Sequence, residues 1–196
     1  VKRTPLTEFD NIRRNGKIAI VLKDGDELIK VGKTSGNNEI IIGASNGRMV
    51  RFDENEIRSM GRGTSGVKGI DLDGANVVGA EVINLGQEVL IVTENGYGKK
   101  TDINEYRLTH RGSKGVRALN ITDKNGKMIS LTCVSPDLSD SLDLIIVTNS
   151  GIIMRMPISQ ISTLRRATQG VRLINLKEEQ KVATVVLVEK EIEEEK

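Results

Sequence analysis

Three stretches of this sequence repeat the same basic segment ahead of a short apolar run. They are RGTSGVKGIDL at 62–72, RGSKGVRALNI at 111–121 and RATQGVRLINL at 166–176. Lysine and arginine that recur at fixed places favour the electrostatic binding of a polyanion. In each copy a glycine permits a tight turn, and a cation stands two places after it at the start of the apolar run. These glycines are Gly66, Gly115 and Gly170.

The spacing of these segments indicates an internal repeat. Each loop glycine follows an earlier glycine by 19 positions, and the earlier glycines are Gly47, Gly96 and Gly151. An acid stands eight residues before each of them, and a basic residue stands four residues after it. Apolar runs that end in Asn-Gly or Ser-Gly are typical of a buried strand entering a hairpin. The acids are Glu39, Glu88 and Asp143, and the basic residues are Arg51, Lys100 and Arg155.

The pattern of each repeat predicts four strands. Two form the hairpin, the third follows the basic loop, and the fourth follows a further turn. Residues 1–35 fit an incomplete copy that lacks the first strand, with Arg3 in the basic position and Gly16 as its loop glycine. We therefore expect an all-β fold, a β-propeller-like disc of four-stranded antiparallel blades. A two-layer sandwich would not require the fixed 19-residue offset. The predicted repeats are 1–35, 39–84, 88–135 and 143–188 in one domain, followed by an acidic tail at 189–196.

Composition limits the class of protein and the compartment to which the chain can belong. The chain of 196 residues is 37% hydrophobic and 29% charged, which is ordinary for a globular protein. Cys133 is its only cysteine, so no internal disulfide can form, and we expect a cytoplasmic location. No apolar run approaches the roughly 20 residues that span a membrane, and no export leader opens the chain. Because the first residue is Val1, we expect the sequence to be a piece of a longer polypeptide.

Candidate catalytic residues are few. His110 is the only histidine and lies in a basic loop without a second metal ligand. Of the two tyrosines, Tyr106 falls in register with Phe9, Ile57 and Ile161, which predicts a packing role, and Tyr97 has no equivalent in the other copies. No glycine-rich segment continues as a P-loop, and 2% aromatic residues argue against base stacking. We therefore expect a non-catalytic domain without cofactor or metal.

The repeated loops predict a positive band around the edge of the disc, which suits double-stranded DNA bound through its phosphates without base readout. The net charge is only +2, but without the tail the body carries 27 basic and 22 acidic residues. A solvated surface is the simpler alternative, and the recurrence of the cations in every copy argues against it. The predicted DNA-binding residues are Arg3, Arg13, Arg14, Lys17, Arg51, Arg62, Lys68, Lys100, Arg111, Lys114, Arg117, Arg155, Arg165, Arg166 and Arg172.

Several segments resemble one family of domains. VKRTPLTEF, NGKIAIVLKDGDELI, GRMVRF, SGVKGI, NGYGKKT and TQGVRLI follow in order along nearly the whole chain, and they are similar to the C-terminal domain of the A-type chain of bacterial DNA gyrase. The family hallmark is a box reading Gln-Arg-Arg-Gly-Gly-Lys-Gly in its first blade. The nearest stretch here, residues 12–18, keeps four of the seven, and its neighbours resemble the third blade of the family. The chain thus resembles the last four of six blades.

The resemblance implies a β-pinwheel whose strand order differs from that of ordinary propellers, and which wraps DNA so that strand passage introduces negative supercoils. It also implies a nucleoid-associated domain within an ATP-hydrolysing type II topoisomerase, whose partners are the remainder of the gyrase A protein and the gyrase B protein. The alternatives are the corresponding domain of topoisomerase IV and a protein-binding propeller that uses the face of its disc.

Overall fold

The computed structural model describes residues 1–12, 14–83 and 86–190, and this part of the chain folds as antiparallel strands with short 3₁₀ turns and no α-helix. The first repeat with a hairpin contains β1 (Glu39–Ala44), β2 (Arg48–Asp53) and β3 (Val77–Ile83). The next contains β4 (Glu88–Thr93), β5 (Tyr97–Asp102), β6 (Val116–Arg117) and β7 (Met128–Val134). The last contains β8 (Leu142–Thr148), β9 (Ile153–Pro157), β10 (Val171–Arg172) and β11 (Val182–Glu189).

The predicted hairpins are confirmed. Gly47, Gly96 and Gly151 occupy the turns between β1 and β2, β4 and β5, and β8 and β9, with φ of 76°, 78° and 81°. That left-handed conformation is open to glycine at little steric cost, which explains why the turn repeats its glycine.

In the second and third hairpin repeats, the short strand after the basic loop does not stay in its own blade. The strand orders are β3-β1-β2-β6, β10-β5-β4-β7 and β11-β8-β9. β6 belongs to the second hairpin repeat yet pairs with β2 of the first, and β10 of the third pairs with β5 of the second. The first two sheets therefore each contain three strands of their own and one transferred from the following repeat, whereas the third sheet has three strands in the described part of the chain. This corrects the expectation that each repeat builds all four strands of its blade, and it gives the altered strand order that the family resemblance implied.

The loop glycines make the transfer possible. Gly115 has φ of 66°, and a Cβ built there would lie 2.0 Å from the carbonyl oxygen of Met49 on β2. At Gly170 the same construction meets the carbonyl oxygen of Gly98 on β5 at 2.8 Å. At Gly66 it meets the carbonyl oxygen of Val1 at 2.3 Å, because Val1 and Val67 exchange backbone hydrogen bonds. Only glycine lets the transferred segment approach the preceding repeat this closely.

The core lies between successive blades. Ile41 and Met49 of the first sheet pack with Val89, Ile91 and other buried residues of the second, and a similar cluster joins the second sheet to the third. At one edge of the sheets β3 packs against β7, where Gly79 lies against the backbone of Leu131. The transferred strands β6 and β10 lie at the opposite edge. The blades therefore converge along β3 and β7, and the basic loops emerge from the outer edge.

The incomplete copy at 1–35 forms no strand in its described residues. Arg3 makes a parallel bridge with Ser59, and a 3₁₀ turn covers Leu6–Phe9. Residues 17–33, in which further strands were expected, are largely exposed, and Ile18 and Val31 are 73% and 77% accessible. In the other copies the fourth strand pairs with the first strand of its own repeat, and the described residues before Glu39 contain no strand that could pair in this way.

A buried carboxylate ties this copy to the first blade. Glu54 is only 1% exposed and accepts the backbone N–H groups of Gly36 and Asn38 at 2.9 and 2.8 Å. Burial would raise the pKa of Glu54, but hydrogen bonds from Thr34, these two amides and Arg3 outweigh it and hold the pKa below its usual value.

A cross-strand ion pair closes each hairpin. The acid before the turn and the basic residue after it meet diagonally, and the pairs are Glu39 with Arg51, Glu88 with Lys100 at 3.0 Å, and Asp143 with Arg155 at 2.7 Å. Lys100 and Glu88 are 8% and 12% exposed in their side chains, so this pair is nearly buried. We call these three pairs the hairpin clamps. β11 extends through Glu189, one residue into the predicted tail, and residues 191–196 lie outside the described part.

Replacing Gly115 by alanine tests the transferred strand. We expect the free energy of unfolding to fall by about 2 to 4 kcal/mol, because the new Cβ meets backbone and requires a left-handed conformation. Gly63, in the first of the equivalent loops, has nothing within 4 Å of its Cβ position, so Gly63→Ala should stay within about 0.5 kcal/mol. Denaturant unfolding of both variants makes the comparison. Equal effects of the two substitutions would contradict the close approach.

Replacing Lys100 by methionine tests the clamp. Glu88 would then be left nearly buried without its cation, and we expect a loss of about 3 to 5 kcal/mol in the free energy of unfolding. Lys68→Met, which breaks the exposed pair with Asp71, should cost at most about 1 kcal/mol. If Lys100→Met instead left stability unchanged and weakened binding to duplex DNA, Lys100 would be a phosphate ligand rather than a clamp.

Candidate nucleic-acid interface

Equivalent arginines join the basic loops of successive copies. Each donates through Nη1 to a backbone carbonyl of the preceding copy, and the acceptor is always the second residue after that copy's loop glycine. The contacts are Arg62 to Ile18 at 2.9 Å, Arg111 to Lys68 at 3.1 Å, and Arg166 to Arg117 at 3.0 Å. These arginines were predicted to bind DNA, and the structure gives them a second task, which is to hold neighbouring loops together.

A backbone contact repeats beside each arginine. The N–H of one residue in each copy donates to the loop of the next copy, and the three bonds are Val21 to Thr64 at 3.2 Å, Asp71 to Ser113 at 2.9 Å, and Asn120 to Thr168 at 2.9 Å. The loops therefore follow one another as a continuous row at the outer edge of the blades. We call residues 14–18, 62–68, 111–117 and 165–172 the basic-loop band.

The band presents several cations to solvent. Lys68 and Lys114 are more than half exposed, and each faces one carboxylate at 3.0 Å, Asp71 and Asp73 respectively. Such surface pairs contribute little to stability, so a phosphate can replace the carboxylate. The other exposed cations of the band include Arg14, Arg117 and Arg165.

Tyr97 supports another exposed cation of the band. The guanidinium of Arg172 donates to the Tyr97 hydroxyl through Nη2 at 3.0 Å and through Nε at 3.2 Å, and it lies 5.6 Å from the ring centroid. Lys124 lies 5.7 Å from the same centroid. Tyr97 is only 7% exposed, so its ring is a fixed support for two cations. The sequence showed only that Tyr97 has no counterpart in other copies.

Four predicted ligands lie in structural positions instead. Arg51, Lys100 and Arg155 are the cations of the hairpin clamps, and Arg51 also donates to the carbonyls of Ile103 and Tyr106 at 2.8 and 2.9 Å. Arg3 donates to Asn55 at 2.8 Å and lies 3.4 Å from the carboxylate of Glu54. Their contact with DNA stays a prediction, and these pairings favour a role in the fold.

The remaining predicted ligands belong to the incomplete copy. Lys17 donates to the carbonyl of Asp10, and Arg13 lies outside the described residues. Two exposed arginines that were not singled out as DNA ligands from the sequence are Arg58 and Arg107, which directly follow the buried residues Ile57 and Tyr106. Their shared place after the packing position was the signal that could have identified them.

The structure shows the surroundings of three side chains of reactive types, His110, Tyr106 and Cys133. His110 is 92% exposed in its side chain and lies 3.3 Å from Glu56, and no group of three or more potential acidic, histidine or cysteine metal ligands occurs in this part of the chain. Burial raises the pKa of Tyr106 well above its usual value and that of Cys133 to about 12, so both side chains stay protonated at neutral pH. Among residues 1–12, 14–83 and 86–190 no helix has the length and apolar character needed to cross a membrane.

Comparison with known proteins agrees with this geometry. The model of the DNA gyrase C-terminal domain, a beta-propeller, matches residues 1–35, 38–84, 87–135 and 142–189. The gyrase A protein of Ureaplasma parvum serovar 3 is 47% identical over 188 residues, which cover 95% of this chain and 22% of the relative. The gyrase A protein of Staphylococcus aureus (strain MRSA252) is 48% identical over 198 residues, with 100% and 22% covered. The chain thus spans about a fifth of the length of these relatives.

Solved structures show the same fold. The C-terminal domain of DNA topoisomerase IV superposes with a TM-score of 0.85 at 26% identity, over 96% of this chain and 58% of that one. The DNA gyrase A C-terminal domain gives a TM-score of 0.73 at 24% identity, over 88% and 58%. Since the family model covers almost every residue of the four repeats, the chain belongs to the DNA gyrase C-terminal domain family.

Proposed function

We propose that this chain is a non-catalytic DNA-wrapping domain of a gyrase A protein, in which the basic-loop band binds the phosphates of a bent duplex. The observation that carries the proposal is the joining of equivalent loops of successive copies, each of which includes exposed cations. A single loop would contact a few phosphates, whereas a row of loops on successive blades can follow a duplex around the edge.

The chemistry of the band suits recognition without base readout. Its exposed cations, among them Lys68, Lys114 and Arg117, are flexible side chains that neutralise phosphates and release counterions. Bending a site of 20 to 30 base pairs by 40 to 90° costs on the order of 1 to 6 kcal/mol, which contacts on several blades can offset. Binding should therefore be weakly dependent on sequence and strongly dependent on salt.

Within the whole ATP-hydrolysing enzyme, this domain would bind DNA beside the remainder of the gyrase A protein and the gyrase B protein, and so support negative supercoiling. It would act in the cytoplasm, at the nucleoid. The curated relatives named above are gyrase A proteins, which favours this assignment. A second candidate is the corresponding domain of topoisomerase IV, whose solved structure superposes closely. A protein-binding propeller is less well supported, because the exposed cations follow the outer edge.

Neutralising exposed cations of two loops tests the interface. We expect the triple variant Lys68→Gln, Lys114→Gln, Arg117→Gln to bind duplex DNA more weakly, with a plot of log affinity against log salt less steep by about three. Its free energy of unfolding should change by less than about 1 kcal/mol, because these side chains make only surface contacts. Fluorescence anisotropy titrations at several salt concentrations measure the slope.

The matched control replaces three exposed lysines outside the band, Lys23, Lys127 and Lys177, by glutamine, and changes net charge by the same amount. It should leave the slope nearly unchanged. If both triple variants lost the same affinity, DNA would respond to net charge alone, and the basic-loop band would not be the binding surface.

A further inference from the structure

One lysine of the second blade is buried beneath the last loop of the band, residues 165–172. Lys99, on β5, is 0% exposed. Its Nζ donates to the backbone carbonyls of Arg165 at 2.8 Å and Arg166 at 2.5 Å. These carbonyls belong to two consecutive cations of the basic-loop band, whose side chains lie elsewhere. Arg165 is exposed, and Arg166 donates to the carbonyl of Arg117.

The strand itself does not require a lysine at this place. Val50 and Met154 stand at the equivalent positions of the other two hairpins, three residues after the turn glycine, so an apolar side chain builds the same strand. Where a lysine does recur, it makes the same contact. Lys2 is the equivalent residue of the incomplete copy, and its Nζ donates to the carbonyl of Arg62, the counterpart of Arg166.

The backbone of the loop at 165–172 accepts and donates further hydrogen bonds. Asn125, also 0% exposed, donates through Nδ2 to the carbonyl of Gln169 at 3.0 Å. Two buried polar side chains, Lys99 and Asn125, therefore hold the backbone at both ends of residues 165–169. The N–H of Arg166 also donates to the carboxylate of Glu105 at 3.4 Å.

Burying the amine of Lys99 is costly. The pKa of Lys99 is lowered from 10.5 to about 8, chiefly by burial, with Glu105 opposing the shift and Arg166 adding to it. A buried ammonium loses its hydration, and the two carbonyl bonds are the compensation that the described residues give it. An apolar residue would fill the same place in the core without this cost. The contribution specific to the lysine is therefore its pair of hydrogen bonds to the loop.

We propose that Lys99 is a positioning residue for DNA binding, which holds the backbone of Arg165 and Arg166 so that their guanidinium groups continue the row of cations from Arg117. The inference rests on the proposed DNA-binding function of the band. It assigns a pre-organised geometry to the loop at 165–172. The loop at 111–117 instead lies over Val50, the equivalent of Lys99, whose apolar side chain gives it no such hydrogen bond. Lys99 is the clearer of the two cases, because Lys2 is only partly buried.

A pH dependence of DNA binding follows from linkage. Phosphates bound next to the loop favour the charged form of Lys99, so DNA binding takes up a proton and weakens as pH rises through about 8. Stability moves the other way. Because the pKa of Lys99 is lower in the folded chain than its ordinary 10.5, the unfolded chain holds more protons between these values, and this group's contribution to stability rises with pH across that window.

Lys99→Met is the direct test, since methionine stands at the equivalent position of the third hairpin. At about 100 mM salt we expect DNA affinity to fall by roughly tenfold and the salt slope to become less steep by about one, the polyelectrolyte value of one lost phosphate contact. The decrease of affinity between about pH 7 and pH 9 should also be smaller than in the unaltered chain. Lys127→Met removes one exposed charge outside the band and should change neither the slope nor the pH profile.

A double-mutant cycle separates positioning from charge and from folding. If Lys99 acts mainly through the two arginines, Lys99→Met should have a much smaller effect in the Arg165→Gln, Arg166→Gln background than in the unaltered chain. Additive losses would overturn the proposal, as would unchanged affinity of a folded Lys99→Met. Lys99→Arg, which keeps several donors, should recover part of the affinity if the first variant folds poorly. Failure of the unaltered chain to bind duplex at low salt would instead contradict the proposed function itself.

Discussion

The structure depends on one interaction, the pairing of a two-residue strand with the second strand of the preceding repeat. β6 and β10 each add only two residues to a neighbouring sheet, yet they carry the chain from one blade to the previous one. The left-handed glycine before each of them brings backbone against backbone, so no side chain separates the repeats. Because the first two blades are each completed by the next repeat, they are joined by main-chain hydrogen bonds as well as by the apolar clusters between their sheets.

This transfer also determines where the charges lie. The loop that leads into each transferred strand must run along the outer edge of the sheet, and the arginines of successive loops bind the backbone of the copy before. One set of cations thereby holds the band together, and a second set, including Lys68 and Arg117, stays exposed. The hairpin clamps are a third set, which neutralise acids inside the hairpins. Structural cations and exposed cations thus share one sequence repeat, and they differ in how deeply they are buried.

Much of this could be predicted from spacing. The 19-residue offset predicted the hairpins. The register of Tyr106 with Phe9, Ile57 and Ile161 predicted a packing position, and Tyr106, Ile57 and Ile161 are 0%, 5% and 2% exposed while Phe9 is partly buried. The roles of the individual basic residues were harder to predict from the sequence. The acid and the basic residue of each hairpin stand 12 positions apart, which a two-stranded hairpin brings together, but the basic residue was interpreted as a DNA ligand. The transfer of β6 and β10 to the preceding blade could not be derived from the repeat alone. A strand of two residues shows no hydrophobic periodicity, and every repeat offers a similar hairpin strand as its partner. The strands expected in residues 17–33 did not form, since β-pairing requires a partner strand.

The basic-loop band is proposed to bend DNA around the outer edge, and energy transfer between the two ends of a duplex measures this bending directly. A duplex of about 30 base pairs, long enough for several blades to contact, would carry one dye at each end. On saturation with the chain at low salt, the transfer efficiency should rise as the ends draw together. It should rise much less with the triple variant at Lys68, Lys114 and Arg117, compared at equal saturation. Unchanged transfer on a fully bound duplex would contradict wrapping and would leave the band as a surface that binds straight DNA.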